Sequence, residues 1–237
     1  MVSAIRLFLR ESIKGAIFYP RAWSLRRTVR CFSRWRRSQD ISLFETNLPW
    51  ITFDACEFLQ KIIRSNWTVF EYGMGGSTTF FLSRVHNLHS VESSSEWYNK
   101  VVDQIKNSKD VGKWTSFFEI ASLASRPVEE QSKSEPGSYI SSDGFDYKKY
   151  VEVISQYPDG YFDCVFIDGR ARPSCLIKSR FKIRPGGWLI LDDAERSHYQ
   201  PACDVLEALK WKRWSFYGPG PACNIFWMTT FWQKPKN

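Results

Sequence analysis

No C-x-x-C pair and no Cys/His spacing of the kind structural zinc requires occurs among the six cysteines, at positions 31, 56, 164, 175, 203 and 223. Several lie inside apolar runs, which reads as buried free thiols in a reducing compartment rather than a disulfide framework. Long apolar stretches are missing as well. Nothing approaches the ~20 residues of a membrane span, and the pieces "LFL" and "AIFY" near the N-terminus are too short for a signal-peptide core. The expectation is a soluble, cytoplasmic body. No internal repeat at a fixed period is present. Acidic residues are scarce in one place: residues 1–40 hold ten of the 33 Lys and Arg but only two of the 25 Asp and Glu, Glu11 and Asp40. The formal charge of +8 therefore resides in this arm, and the remainder is neutral.

What the arm does contain is Arg and Lys interleaved with Ile, Leu, Phe and Trp, a composition suited to an amphipathic segment at an anionic membrane surface. A helix packed on the body with a solvated basic face fits as well, and an Arg-rich organelle-targeting segment is a third reading. Pro20 divides the arm in two. The organisation expected is a basic arm over 1–40 and one domain over 41–237, long enough for one sizeable core.

Beyond the arm, "LPWITFDACEFLQKIIRSN" places Ala55, Phe58, Leu59, Ile62 and Ile63 on one helical face, with Asp54 and Glu57 spaced as a capping pair. Strand and helix patterns then alternate. "WTVFEY", "NLHSVE", "WTSFFEIA", "YFDCVFIDG" and "GGWLILDD" read as strands; "STTFFLSRV", "SSSEWYNKVVDQIKN", "YKKYVEVISQY" and "PSCLIKSRF" read as the helices between them. This order predicts an α/β, Rossmann-like, doubly wound and mainly parallel sheet with helices on both faces. "RWSFYGPGPACNIFWMTTFW" reads as a closing C-terminal antiparallel hairpin. The Ser-, Pro- and Gly-rich stretch from Ser122 to Asp146 is too long for an ordinary connection and is expected to be a lid or exposed loop.

The chemistry centres on "FEYGMGGST". Gly73, Gly75 and Gly76 follow the first strand, where a strand-to-helix turn offers unpaired N–H groups and close backbone approach to a ligand. Ser77 and Thr78 can cap the next helix. A dinucleotide fingerprint needs a third glycine where this chain has Thr78, which counts against NAD. Glu92 ends the second strand, where an acid can accept hydrogen bonds from both ribose hydroxyls. A helix-capping role for Glu92, with Ser93 and Glu96 in capping-box spacing, is the structural alternative.

Taken together, "FEYGMGGST", "SVESSSEWY", "FDCVFIDGRARPSC" and "IRPGGWLILDDAER" resemble the class I S-adenosylmethionine-dependent methyltransferases. Within them the chain is similar to a poorly characterised bacterial-type group with EYG-x-GGST, IDGR-x-R and DD-x-ER motifs. The resemblance runs from about Leu48 to Trp232 and excludes the arm. It implies S-adenosylmethionine as cofactor, with Glu71, Gly73 and Gly75 on the methionine side and Glu92 on the ribose. It assigns no adenine contact, because "FFEIASLAS" lacks the usual signature.

The strand ends supply a charged rim for methyl transfer: Asp168, Arg170 and Arg172, then Asp192, Asp193, Glu195, Arg196 and His198. A related metal-dependent branch of O-methyltransferases carries an Asp and an Asp-Asn pair at these places, so Asp168, Asp192 and Asp193 could offer oxygen ligands to magnesium, calcium or manganese. In the competing reading Asp168 caps a helix and Asp192 pairs with Arg170 or Arg196. The metal-free reading is preferred, since the charge of Arg170 would oppose a cation. Asp168 is the first candidate for catalysis and His198 a candidate general base. Arg170 and Arg172 suit a small acidic or sugar-like acceptor, or else they pair with the three nearby carboxylates. Methylation of RNA is the weaker reading: the body lacks an Asn-Pro-Pro-aromatic loop, and neither Cys164 nor Cys175 follows a proline. A non-catalytic binding module at a membrane or partner is the other alternative.

Overall fold

The structure, a computed structural model, describes residues 2–39, 47–124, 138–141 and 143–236. The arm forms two helices on either side of Pro20, α1 (Val2–Phe18) and α2 (Leu25–Ser38). After α3 (Phe53–Ile62) the chain enters β1 (Thr68–Tyr72), α4 (Gly76–Leu82), β2 (Asn87–Glu92), α5 (Ser95–Ile105) and β3 (Trp114–Phe118). Two short strands, β4 (Ser122–Leu123) and β5 (Phe145–Asp146), pair antiparallel at the ends of the stretch expected to be a lid or loop; its residues 125–137 and 142 lie outside the described residues. The order closes with α6 (Lys148–Glu152), β6 (Phe162–Ile167), α7 (Arg172–Lys182), β7 (Ile183–Leu191), α8 (Gln200–Ala208), β8 (Lys212–Gly218) and β9 (Trp227–Gln233).

Seven strands make one sheet in the order β3-β2-β1-β6-β7-β9-β8. The first five are parallel, and β9 and β8 add the antiparallel hairpin. Period-two alternation sorts their side chains onto two faces. Phe70, Tyr72, Val165, Ile167, Leu189 and Leu191 enter one core; Val69, Cys164, Phe166, Trp188 and Ile190 enter the other. Removing each large apolar side chain from water contributes about 1.5–3 kcal/mol, so a one-residue slip in any central strand would exchange both sets at once. All six cysteines are free, five of them buried.

Both arm helices and the turn between them lie against the first face, burying Phe8, Cys31, Trp35 and Ala22 in its core. The Trp35 indole donates to the Cys223 carbonyl at 2.8 Å. Asp54 and Glu57 do not cap α3, which starts after Thr52; they pair instead with Arg27, Arg30 and Arg34 of α2. The expected capping pair is thus an electrostatic contact between the arm and the body. Its spacing on one face of α3 serves either role, and only the packing of α2 decides between them. No described helix is long and apolar enough to cross a membrane.

Candidate functional site

From β1 the chain winds outward through β2 to β3, then returns to β6 on the opposite side of β1. The carboxyl ends of β1 and β6 therefore flank the reversal point at which open α/β sheets bind ligands. The strand ends are stitched there: Asp168 N–H donates to the Tyr72 carbonyl at 3.0 Å, Gly73 N–H to Val91 at 2.9 Å, and Asp192 N–H to Ile167 at 3.1 Å. Gly73 has φ +90°, and a Cβ on it would stand 2.7 Å from Gly169 Cα. Both the conformation and the crowding require glycine. Gly75 differs, since a Cβ there would meet only Trp97, at 3.9 Å, and its backbone is extended.

Thr78, which replaces the third glycine of a dinucleotide fingerprint, fastens this turn. Its hydroxyl accepts from Gly75 N–H at 3.0 Å and donates to Glu71 Oε2 at 2.8 Å. Ser90 donates to the same Glu71 oxygen at 2.8 Å. Glu71 is fully buried behind the turn and forms no part of the cavity wall. Burial pushes its carboxyl up to about 7 against the opposing hydrogen bonds from Ser77, Ser90 and Thr78.

Glu92 reaches across from β2. Its carboxylate accepts from Met74 N–H at 2.8 Å and from Ser93 and Ser94 N–H at 2.7 Å each. It thus holds the glycine turn to the start of α5 while lining the cavity. The cap of α5 is Ser94, accepting from Trp97 N–H, so the Ser93 capping box of the alternative reading does not form. The Ser93 hydroxyl also reaches Oε1, at 3.5 Å, so Oε1 is fully engaged, whereas Oε2 has Met74 N–H alone and keeps capacity for a further donor.

On the opposite wall, Arg172 is the hub. Its guanidinium lies 3.0 Å from Asp168, 3.1 Å from Asp193 and 3.7 Å from Asp192, and its Nε donates to the Gly169 carbonyl at 3.0 Å. Asp168 therefore pairs with Arg172 and does not cap α7, which begins after Ala171 without a side-chain cap. Asp192 pairs with neither Arg170 nor Arg196. One of its oxygens accepts from the Trp227 indole at 2.9 Å and Thr229 at 2.6 Å, and the other faces Arg172. Arg196 goes to Asp193, and Glu195 accepts from Met228 N–H at 2.8 Å, so the DD-x-ER stretch also fastens the end of β7 to β9. Burial raises Asp168 to about 7; the Arg172 and Arg196 charges oppose this, and the charges of Asp193 and Glu92 add to it. Asp192 is raised further, by burial and then by the Asp168 and Asp193 charges. Among the described residues no cluster of His, Cys, Asp and Glu is arranged to hold a metal ion.

Between the two walls is a cavity of about 980 Å³, near the upper end of the ~300–1,000 Å³ typical of small-molecule sites. Of the residues singled out in the sequence, Gly73, Gly75, Gly76, Ser77, Glu92, Asp168, Arg170, Arg172, Asp192 and His198 all line it. Arg170 is exposed at 62%, 4.0 Å from Asp143. His198 stands in a single turn leading into α8, its imidazole pKa lowered by burial and by Arg196. The sequence reading missed Trp50, Trp97, Ile140, Tyr199 and Trp227, which supply much of the apolar wall. Trp97 lies in the quoted "SSSEWY" motif and could have been found from its place in the first turn of α5, and Tyr199 adjoins the candidate His198; Trp50, Ile140 and Trp227 come from distant segments and carry no local signal.

No protein-family model matches the chain, and no curated protein matches it. Solved structures do. The O-methyltransferase TomG from Streptomyces achromogenes, involved in tomaymycin synthesis and solved in complex with S-adenosylmethionine, aligns over 99% of this chain and 100% of its own at 11% identity and a TM-score of 0.56. An O-methyltransferase from Bacillus cereus, in complex with S-adenosylhomocysteine, aligns over 97% of this chain and 99% of its own at 12% identity and a TM-score of 0.54. The chain shares the fold of these two O-methyltransferases.

Proposed function

We propose that the chain is an S-adenosylmethionine-dependent methyltransferase acting on an oxygen of a small, acidic or sugar-like acceptor. The observation that carries this reading is the division of one cavity at the sheet's reversal point. One wall is a glycine turn braced by a carboxylate, and the other is a charged rim. The first wall fits the cofactor: Gly73, Gly75 and Gly76 permit close approach, Ser77 opens a helix, and Glu92 retains acceptor capacity for a ribose hydroxyl. Bound there, the cofactor supplies an electrophilic methyl group. The protein's work is then alignment and removal of a proton from the acceptor.

Asp168 is the residue proposed to take that proton. Its raised pKa keeps it near the balance point at neutral pH, where a general base works best. Arg172 positions it, and Arg170 at the mouth is free enough to hold an acidic group of the acceptor. His198, kept neutral by its surroundings, is the second candidate base. The three aspartates do not fit a divalent cation, because the Arg172 guanidinium already lies among them. Calorimetry with S-adenosylhomocysteine, S-adenosylmethionine and NAD tests the reading, followed by a screen of acidic acceptors. Binding of the first two and not NAD is expected; binding of none of the three would replace an enzyme with a binding module.

A further inference from the structure

We propose that the outer face of α1 is a seat for an anionic lipid surface. The helix buries one side and exposes an apolar ridge on another. Phe8 faces the body beside Glu11, Ser12 and Gly15, all buried, while Ile5, Leu9, Ile13 and Ile17 stand 41%, 55%, 60% and 64% exposed. Their i, i+4 spacing sets them along one ridge, and Arg6, Arg10 and Lys14, each one residue further on, form a parallel exposed row beside it, Arg10 and Lys14 sharing the buried Glu11 carboxylate. A continuous ridge of aliphatic side chains in water marks an interaction surface. The adjoining basic row selects its occupant. An apolar stripe bordered by Arg and Lys is the pattern of a helix lying in the membrane interface, aliphatic groups at the acyl boundary and cations among anionic headgroups.

Other occupants fit less well. Two copies packed ridge to ridge would bring two like-charged rows together, and a nucleic acid would leave the aliphatic ridge exposed. The seat also has a connection to the cavity. Buried Glu11 accepts from Phe226 N–H at 3.3 Å and Trp35 donates to Cys223 O, while Cys223 and the exposed Ile225 line the cavity. The loop rimming the cavity is thus hung on the arm, within about one helix diameter (~10 Å) of the proposed seat.

The test is co-sedimentation of the full chain with vesicles of phosphatidylcholine alone and with about 30% phosphatidylserine, at rising salt and without any methyl donor. Because the readout needs no cofactor, its failure is separate from failure of the methyltransferase reading. Binding is expected only on the anionic vesicles, weakening as salt screens the basic row. The double variant Leu9→Gln with Ile13→Gln should lose at least about tenfold in vesicle affinity at unchanged Tm, and Arg6→Gln about fivefold. Absence of wild-type binding, or equal binding by the double variant, would overturn the proposal. So would a salt-stable dimer that the double variant dissolves, or a preference for RNA over vesicles.

Discussion

Replacing Arg172 by methionine keeps much of the side-chain length and removes the one cation buried among Asp168, Asp192 and Asp193. The four side chains are only 12%, 20%, 6% and 18% exposed, so solvent cannot take over the lost charge. Removing one partner of a buried ion pair costs about 3–5 kcal/mol. For a chain of this size each kcal/mol lowers Tm by about 2–4 °C, which predicts a fall of roughly 6–20 °C at or above neutral pH.

The pH dependence gives the sharper test. Asp168 titrates at about 7 when folded, against about 3.9 for an unfolded Asp. A carboxyl whose folded pKa is raised contributes stability that is complete below its unfolded pKa and disappears as pH rises through the folded one. Loss of Arg172 raises the folded values further. The deficit of Arg172→Met should therefore be largest near about pH 8 and shrink toward about pH 5, where Asp168 is protonated and needs no partner. Thermal unfolding followed by circular dichroism across this range measures it, with Arg170→Met as the control. Arg170 is 62% exposed and 4.0 Å from its partner, so its loss should stay within about 0.5 kcal/mol. A Tm deficit that is flat with pH, or grows in acid, would refute the hub role of Arg172.

Glu92→Ala should weaken S-adenosylhomocysteine binding by about 1.5–3 kcal/mol, the range for hydrogen bonds to a charged group, and unchanged affinity by calorimetry would remove it from the cofactor site. Gly75→Ala should leave Tm unchanged, since its added methyl meets only Trp97 at 3.9 Å, yet weaken the same ligand at least about tenfold by entering the cavity; unaltered binding would show that the ligand does not lie over this turn. Asp168→Asn should lower turnover by about 10²–10⁴-fold while ligand affinity changes by less than about 1 kcal/mol. It should also abolish a rise in rate through about pH 7, the sign expected for a base that acts deprotonated. Full activity in this variant, or loss of wild-type activity on adding a chelator, would contradict the metal-free account.

Much of the sheet was legible because its five parallel strands are short, apolar and separated by helix-period segments. "NLHSVE" coincides with β2, and the hairpin formed where the Gly/Pro turn predicted it. What local pattern could not resolve was partner choice. Asp54 and Glu57 are spaced as a cap, but three arginines from α2 claim them. Pairing of Arg172 with the nearby carboxylates was one of two readings of the rim, and the closing of β6 beside β7, which brings Asp168 and Asp192 together, decides for it. The apolar wall was the least visible. Trp50, Tyr199 and Trp227 meet only after the chain has folded over the strand ends.

The two conspicuous glutamates show how far parity could have carried the reading. Glu71 follows Phe70 and precedes Tyr72, whose side chains share one face of the sheet, so alternation alone sends Glu71 to the opposite face, beneath α4. There it meets Thr78 and Ser90 rather than the cavity. Glu92 is the last residue of β2, still in register with Phe118, and its carboxylate reaches past the strand end to the glycine turn. Both acids brace the same glycine turn, Glu71 through Thr78 and Glu92 through Met74 N–H, but from different sides. A buried Glu71 with its pKa raised to about 7 sets the turn's shape from behind, whereas Glu92 meets the cavity directly. Substituting Glu71 should therefore disturb ligand binding only together with stability, and Glu92 should disturb binding beyond any change in Tm.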